Sequence, residues 1–128
     1  MGQLYSSRRV LVVDDNSDAA ALVAELLSLQ GYAVAVAHGG REALAVAREF
    51  VPEVVFLDIG MPEMDGYEVA TALRRAAWLP APRIVALTAW GNAQARARSA
   101  ACGFDAHLVK PARVDTLLSE AASGHQVH

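Results

Sequence analysis

Four short apolar runs in this 128-residue chain each end on a polar or charged residue. Arg9-Val10-Leu11-Val12-Val13 runs into Asp14-Asp15, and Val54-Val55-Phe56-Leu57 runs into Asp58. Ile84-Val85-Ala86-Leu87 ends on the hydroxyl of Thr88, and His107-Leu108-Val109 on Lys110-Pro111. Runs this short and this apolar read as strands buried on both faces, the habit of parallel sheets. In such sheets the binding site lies beyond the carboxyl ends of the strands. The four ends therefore point at one shared site of three carboxylates, one hydroxyl and one ammonium.

Helical patterns alternate with these strands. Asn16 or Ser17 can cap a first helix with Ala19, Val23, Leu26 and Leu27 on its apolar face, stopped at Gly31. Residues 32–37 read as a second strand, 41–50 as a helix, and a helix ending near Arg75 follows the loop after Asp58. A helix over 92–102 ends at Gly103, and a last one carries Val114, Leu117, Leu118 and Ala121 on one face. Five strands alternating with five helices require right-handed crossovers and a parallel sheet covered on both faces. The expectation is a flavodoxin-like, doubly wound sheet with strand order 2-1-3-4-5. Strands one and three are then neighbours, about 4.8 Å apart, and Asp14, Asp15 and Asp58 crowd one pocket. Residues 1–8 read as a flexible leader, 9–122 as the domain and 123–128 as a flexible tail.

Composition narrows the function. Fourteen acidic against 11 basic residues, net charge −3, give no bulk reason for direct nucleic-acid binding. Cys102 is the single cysteine, so no internal disulfide forms, and a reduced cytoplasmic setting fits. No uncharged apolar stretch approaches the roughly 20 residues a membrane helix needs. Met1 to Ser6 matches the N-myristoylation pattern with Gly2 as acceptor, but a disordered leader explains the same residues.

Three close carboxylates cannot all stay ionised without a counter-charge. Oxygen ligands without His or Cys favour magnesium, which keeps positions open for water and phosphate oxygens. The set therefore reads as a phosphoryl-transfer site with an aspartate nucleophile. Taken singly, each residue has a plainer explanation. Asp14 or Asp15 would serve as a helix cap, Lys110 as solvated surface, and Thr88 as a strand end. Their joint occurrence at four converging strand ends is what favours chemistry.

Longer blocks carry a resemblance. Val12 to Asn16, Leu57 to Gly66, Ala86 to Ala89 and Leu108 to Pro111 resemble the receiver domain of bacterial two-component response regulators, over roughly Arg9 to Ala122. The resemblance implies that Asp58 accepts phosphate from a histidine kinase or histidine phosphotransfer protein. It implies magnesium held by Asp14, Asp15, Asp58 and the backbone carbonyl of Gly60. Thr88 and Lys110 would bind phosphoryl oxygens, and the Lys110–Pro111 bond would be cis. Such a domain is a signalling switch rather than an enzyme with a separate substrate. Its output face would be the fourth helix, fifth strand and fifth helix, in a monomer or a weak phosphorylation-dependent dimer.

The departures are informative. Three residues before Lys110, where the family has a switch aromatic, stands His107, either a polar switch or a solvated edge residue. Trp90, two residues after Thr88, either shields the acyl phosphate from water or merely packs in its loop. Residues 92–102 contain no Leu, Ile, Val or Phe, so that helix should be weakly anchored, with Arg96 and Arg98 facing solvent. No DNA-binding, cyclase or phosphodiesterase pattern follows Ala122, which suggests a stand-alone receiver or one cut from a hybrid kinase. Two rivals are a phosphatase of the haloacid-dehalogenase type, which needs an Asp where Gly60 stands, and a phosphate-independent interaction module.

Overall fold

The apolar runs form one parallel sheet in the computed structural model, which describes residues 8–123. The strands are β1 (Arg9–Val13), β2 (Ala33–Ala37), β3 (Val54–Asp58), β4 (Arg83–Thr88) and β5 (Ala106–Val109). Between them run α1 (Ser17–Leu29), α2 (Gly40–Phe50), α3 (Gly66–Arg75), α4 (Ala93–Ala101) and α5 (Val114–Ala122). The strand order is β2-β1-β3-β4-β5 and every pairing is parallel, so the expected doubly wound architecture is the one observed. The acylation pattern at Gly2 and most of the expected leader and tail lie outside the described residues.

Successive side chains of a strand point to opposite faces, and here both faces are covered. Val10, Val12, Val54, Phe56, Val85 and Leu87 pack with Ala20 and Leu27 of α1 and Leu117 and Ala121 of α5. Leu11, Val13, Val55, Leu57, Ile84 and Ala86 pack with Ala43 and Ala47 of α2 and Val69, Ala70 and Leu73 of α3. Burial on both sides explains why the central strands carry apolar residues without alternation. Arg83, at the start of β4, is a buried charge whose guanidinium pairs with Glu120 of α5. At the far side, Arg74 of α3 donates to the carbonyls of Gly103 and Pro82 and to the Asp105 carboxylate.

Local chemistry sets the helix starts. The Asn16 side chain accepts from the Ala19 amide at 3.0 Å and caps α1, so neither Asp14 nor Asp15 is spent on that role. Asp65 and Glu68 close a reciprocal capping box on α3, and Asn92 caps α4. Two apolar faces differ from the sequence reading. In α1 the fully buried residues are Ala20 and Leu27, while Ala19, Val23 and Leu26 are half-buried. In α5 Val114 is 47% exposed, lining the groove between α1 and α5 beside Pro111.

Gly66 governs how α3 meets the sheet. Its amide donates to the Ile59 carbonyl at 3.0 Å, and a β-carbon here would lie 2.6 Å from the Asp58 carbonyl oxygen and 2.7 Å from the Ile59 α-carbon. Both neighbours are backbone and cannot swing away. Gly66→Ala is therefore expected to destabilise the domain by about 1–3 kcal/mol, the range of overpacking. Urea unfolding should show a lower midpoint at unchanged slope; an unaltered midpoint would mean that α3 can back away freely.

Candidate functional site

Strand register builds the site. β1 and β3 pair Val13 with Leu57, so the next residues, Asp14 and Asp58, emerge side by side at the carboxyl edge. β4 and β5 pair Thr88 with Val109, which sets Lys110 one step beyond Thr88. The Lys110 ammonium lies 2.9 Å from Asp14 Oδ2 and 3.5 Å from Asp58 Oδ1. Oxygens of Asp14, Asp15 and Asp58 all lie within 4.8 Å of one another. Asp14 and Asp58 are buried and Asp15 is exposed, so the cluster opens to solvent on the Asp15 side. The Lys110–Pro111 peptide bond is cis, as the resemblance implied.

Electrostatics at this edge are in conflict. Burial pushes the Asp58 carboxyl up from its ordinary 3.8 to about 6, and the charge of Asp14 and a hydrogen bond with Asp15 add to the rise. The Lys110 ammonium and the Gly60 amide, 3.1 Å from Asp58 Oδ1, pull it down without cancelling the effect. For Lys110, burial favours losing the proton, but the hydrogen bond it donates to Asp14 and the charges of Asp58 and Asp14 outweigh it and hold the pKa above normal. One ammonium thus faces three carboxylates. The donor set fits a hard divalent cation: oxygen ligands only, tightly grouped, open on one side and carrying excess negative charge.

The remaining predicted residues surround this cluster. Thr88 is 2% exposed, and its Oγ accepts from the Trp90 amide at 3.1 Å. Trp90 is 56% exposed, yet its indole edge comes close to Gly60. A methyl group on Gly60 would sit 3.9 Å from Trp90 Cη2 and 4.0 Å from Asp58 Oδ1, so indole and carboxylate flank the same backbone position. His107 is not a solvated edge residue: it is half-buried, with Nδ1 2.8 Å from Ser99 Oγ and Nε2 2.8 Å from the Trp90 carbonyl. Arg96 and Arg98 are exposed as expected, but both are engaged within the chain. Arg96 donates to the Gly91 carbonyl, and the Arg98 guanidinium lies 4.0 Å from the Tyr67 ring centre. Pro111 is exposed beside the groove between α1 and α5.

Two residues of the site carried no sequence signal. His38, at the end of β2, places Nδ1 3.1 Å from the Asp14 carbonyl; because that oxygen can only accept, Nδ1 is the donor. Ser99 is the one buried residue of α4, and on a helix without large apolar residues nothing marked it in advance.

The raised pKa of Asp58 has a stability consequence. The folded state binds the Asp58 proton more tightly than the unfolded chain does, so stability from this group is present below about pH 4 and is lost as the pH rises through about 6. In chelator at neutral pH, Asp58→Asn is expected to raise Tm by several degrees. The advantage should shrink on acidification below about pH 5 and on adding magnesium at neutral pH. A gap that ignores both pH and magnesium would show that the carboxylate cluster is not the cause.

Comparison with known proteins agrees with this geometry. The family model described as the response regulator receiver domain matches residues 10–122. The transcriptional regulatory protein PrrA of Mycobacterium tuberculosis is 42% identical over 92% of this chain and 53% of its own length. This chain spans only 41% to 53% of the first several curated relatives it matches. Among solved structures, the chemotaxis protein CheY4 of Vibrio cholerae superimposes with a TM-score of 0.84 at 34% identity, covering 89% of this chain and 95% of that one. A response regulator protein from Burkholderia pseudomallei, solved with a phosphorylated aspartic acid and a calcium ion, gives 0.82 at 30% identity, covering 91% of this chain and 68% of that one. The carboxylate cluster at the carboxyl edge of a 2-1-3-4-5 sheet is thus the edge of a response regulator receiver domain, the family to which this chain belongs.

Proposed function

We propose that Asp58 accepts a phosphoryl group from the phosphohistidine of a histidine kinase or phosphotransfer protein, and that this event switches the domain. The observation that carries the reading is Lys110 bridging Asp14 and Asp58 at the strand ends, with Asp15 grouped with those carboxylates and Thr88 paired with Val109 beside Lys110. That a similar protein contains a phosphorylated aspartic acid and a calcium ion supports it.

In this reading an oxygen of the Asp58 carboxylate attacks phosphorus. The phosphorus–nitrogen bond of the donor breaks, and the donor imidazole leaves with the electron pair and takes up a proton. Asp14, Asp15, Asp58 and the Gly60 carbonyl would hold Mg2+, which when bound neutralises charge on the carboxylates and the transferring phosphoryl oxygens. Lys110 shifts from its present salt bridges to a phosphoryl oxygen. Thr88 gives up the Trp90 amide and turns its hydroxyl to donate to another. The indole of Trp90, set against Gly60, narrows the path by which water reaches the acyl phosphate. The added charge of about −2 is read out on α4, β5 and α5 by a protein partner. The domain catalyses only its own phosphorylation and dephosphorylation. No described helix is long and apolar enough to cross a membrane, and a cytoplasmic setting supplies the kinase and the magnesium this chemistry requires.

Intact mass after incubation with acetyl phosphate provides the test. Wild type should gain one phosphoryl group with magnesium and none in chelator, and Asp58→Asn should gain none in either. Uptake by the Asn variant would move the acceptor elsewhere. No uptake by wild type from acetyl phosphate or from a phosphorylated kinase would favour a phosphate-independent interaction module.

A further inference from the structure

β1 and β2 are joined by a parallel ladder whose rungs are evenly spaced along the strands. At one end the Ala33 amide donates to the Arg8 carbonyl at 3.0 Å, and at the other the Asp14 amide donates to the Ala37 carbonyl at 3.1 Å. Counting on in twos from Ala33 and Arg8, the rung after the last would run from the Gly39 amide to the Asp14 carbonyl. The chain has left the ladder by then. Gly39 is the N-cap of α2, and the His38 amide donates to Glu42 Oε1 at 3.0 Å. A side chain makes the rung instead: His38 Nδ1 donates to the Asp14 carbonyl at 3.1 Å.

That carbonyl belongs to the planar peptide joining Asp14 to Asp15, so its direction sets where the Asp15 side chain leaves the backbone. The two acids are held differently. Asp14 is buried, accepting from the Asn16 amide through Oδ1 and from the Lys110 ammonium through Oδ2. Asp15 is exposed, yet one of its oxygens stays within 4.8 Å of oxygens of Asp14 and Asp58. We propose that His38 is a positioning residue for the metal: its Nδ1 hydrogen fixes the Asp14–Asp15 peptide and keeps the Asp15 carboxylate turned toward Asp14 and Asp58. This rests on the reading of that cluster as the Mg2+ site. A carboxylate already in place binds a cation without first being ordered, which raises affinity without adding a ligand. The demand falls on the δ position of the side chain, because the atom that reaches the carbonyl is bonded directly to Cγ.

The experiment compares His38→Ala, His38→Asn and His38→Gln with wild type, all unphosphorylated and at one pH. Asparagine carries its amide on Cγ, where Nδ1 sits, and glutamine carries it one bond farther out. Two quantities are measured: the Mg2+ dissociation constant by isothermal titration calorimetry, and the Asp15 backbone amide resonance by NMR in chelator. His38→Ala is expected to weaken Mg2+ binding about fivefold, the factor corresponding to one ordinary hydrogen bond, and to shift and broaden the Asp15 resonance. His38→Asn should recover most of the affinity and the wild-type resonance, whereas His38→Gln should behave like alanine. Unchanged Mg2+ affinity in His38→Ala, or a glutamine variant as good as asparagine, would overturn the proposal. If His38→Ala does not fold, the asparagine and glutamine variants decide between them. Wild type that takes up no Mg2+ would sink the metal reading and the proposal with it, whereas uptake indifferent to His38 sinks the proposal alone.

Discussion

The structure turns on the placement of two buried carboxylates beside one ammonium. Pairing of β1 with β3 forces Asp14 and Asp58 together at the end of an apolar sheet. Water that would solvate them is excluded on the sheet side, and Lys110 is the only cation in direct contact with either among the described residues. The raised pKa of Asp58 measures what remains unresolved. A domain built for stability alone would place neutral residues here, because buried ion pairs seldom repay the loss of hydration. In the function proposed above, a divalent cation would relieve the conflict, and a phosphoryl group would then exploit the same cation and the same lysine.

Rigidity and mobility are divided along the chain. β1, β3 and β4 are apolar on both faces and define a frame that does not adjust. α3 is pinned to that frame by Gly66 against the Asp58 backbone and by Arg74 across to Gly103, Pro82 and Asp105. α4 has no equivalent: Ser99 is buried and Ala95 half-buried, and arginines hold the helix from outside. Elements with little buried apolar area are the ones able to open at low cost. The site is thus fixed at Asp58, while the loop carrying Trp90 leads into the weakly anchored α4.

Much of the architecture could be read from the residues. The apolar runs, the helix punctuation at Gly31 and Gly103 and the polar strand ends specified five strands, five helices and the convergence of Asp14, Asp58, Thr88 and Lys110. Residue surroundings that come from distant parts of the chain are not legible in a local pattern. Val114 counts as apolar in a helical pattern, yet it is half exposed, lining the groove between α1 and α5. Arg98 looks like a solvated charge, yet it stacks on Tyr67, 31 positions earlier in the numbering.

Sequence by itself determined the secondary elements, the sheet type and the chemical content of the site, because each follows from local periodicity and from the residue that ends each strand. Tertiary structure alone decided that His107 is bonded on both sides, that Ser99 is the inward contact of α4 and that the Trp90 indole meets Gly60. Those contacts join β5, α4 and the loop after β4, which only chain folding brings together. A ring nitrogen or a hydroxyl pairs with whatever polar group lies within about 3 Å, and no local pattern encodes that neighbour.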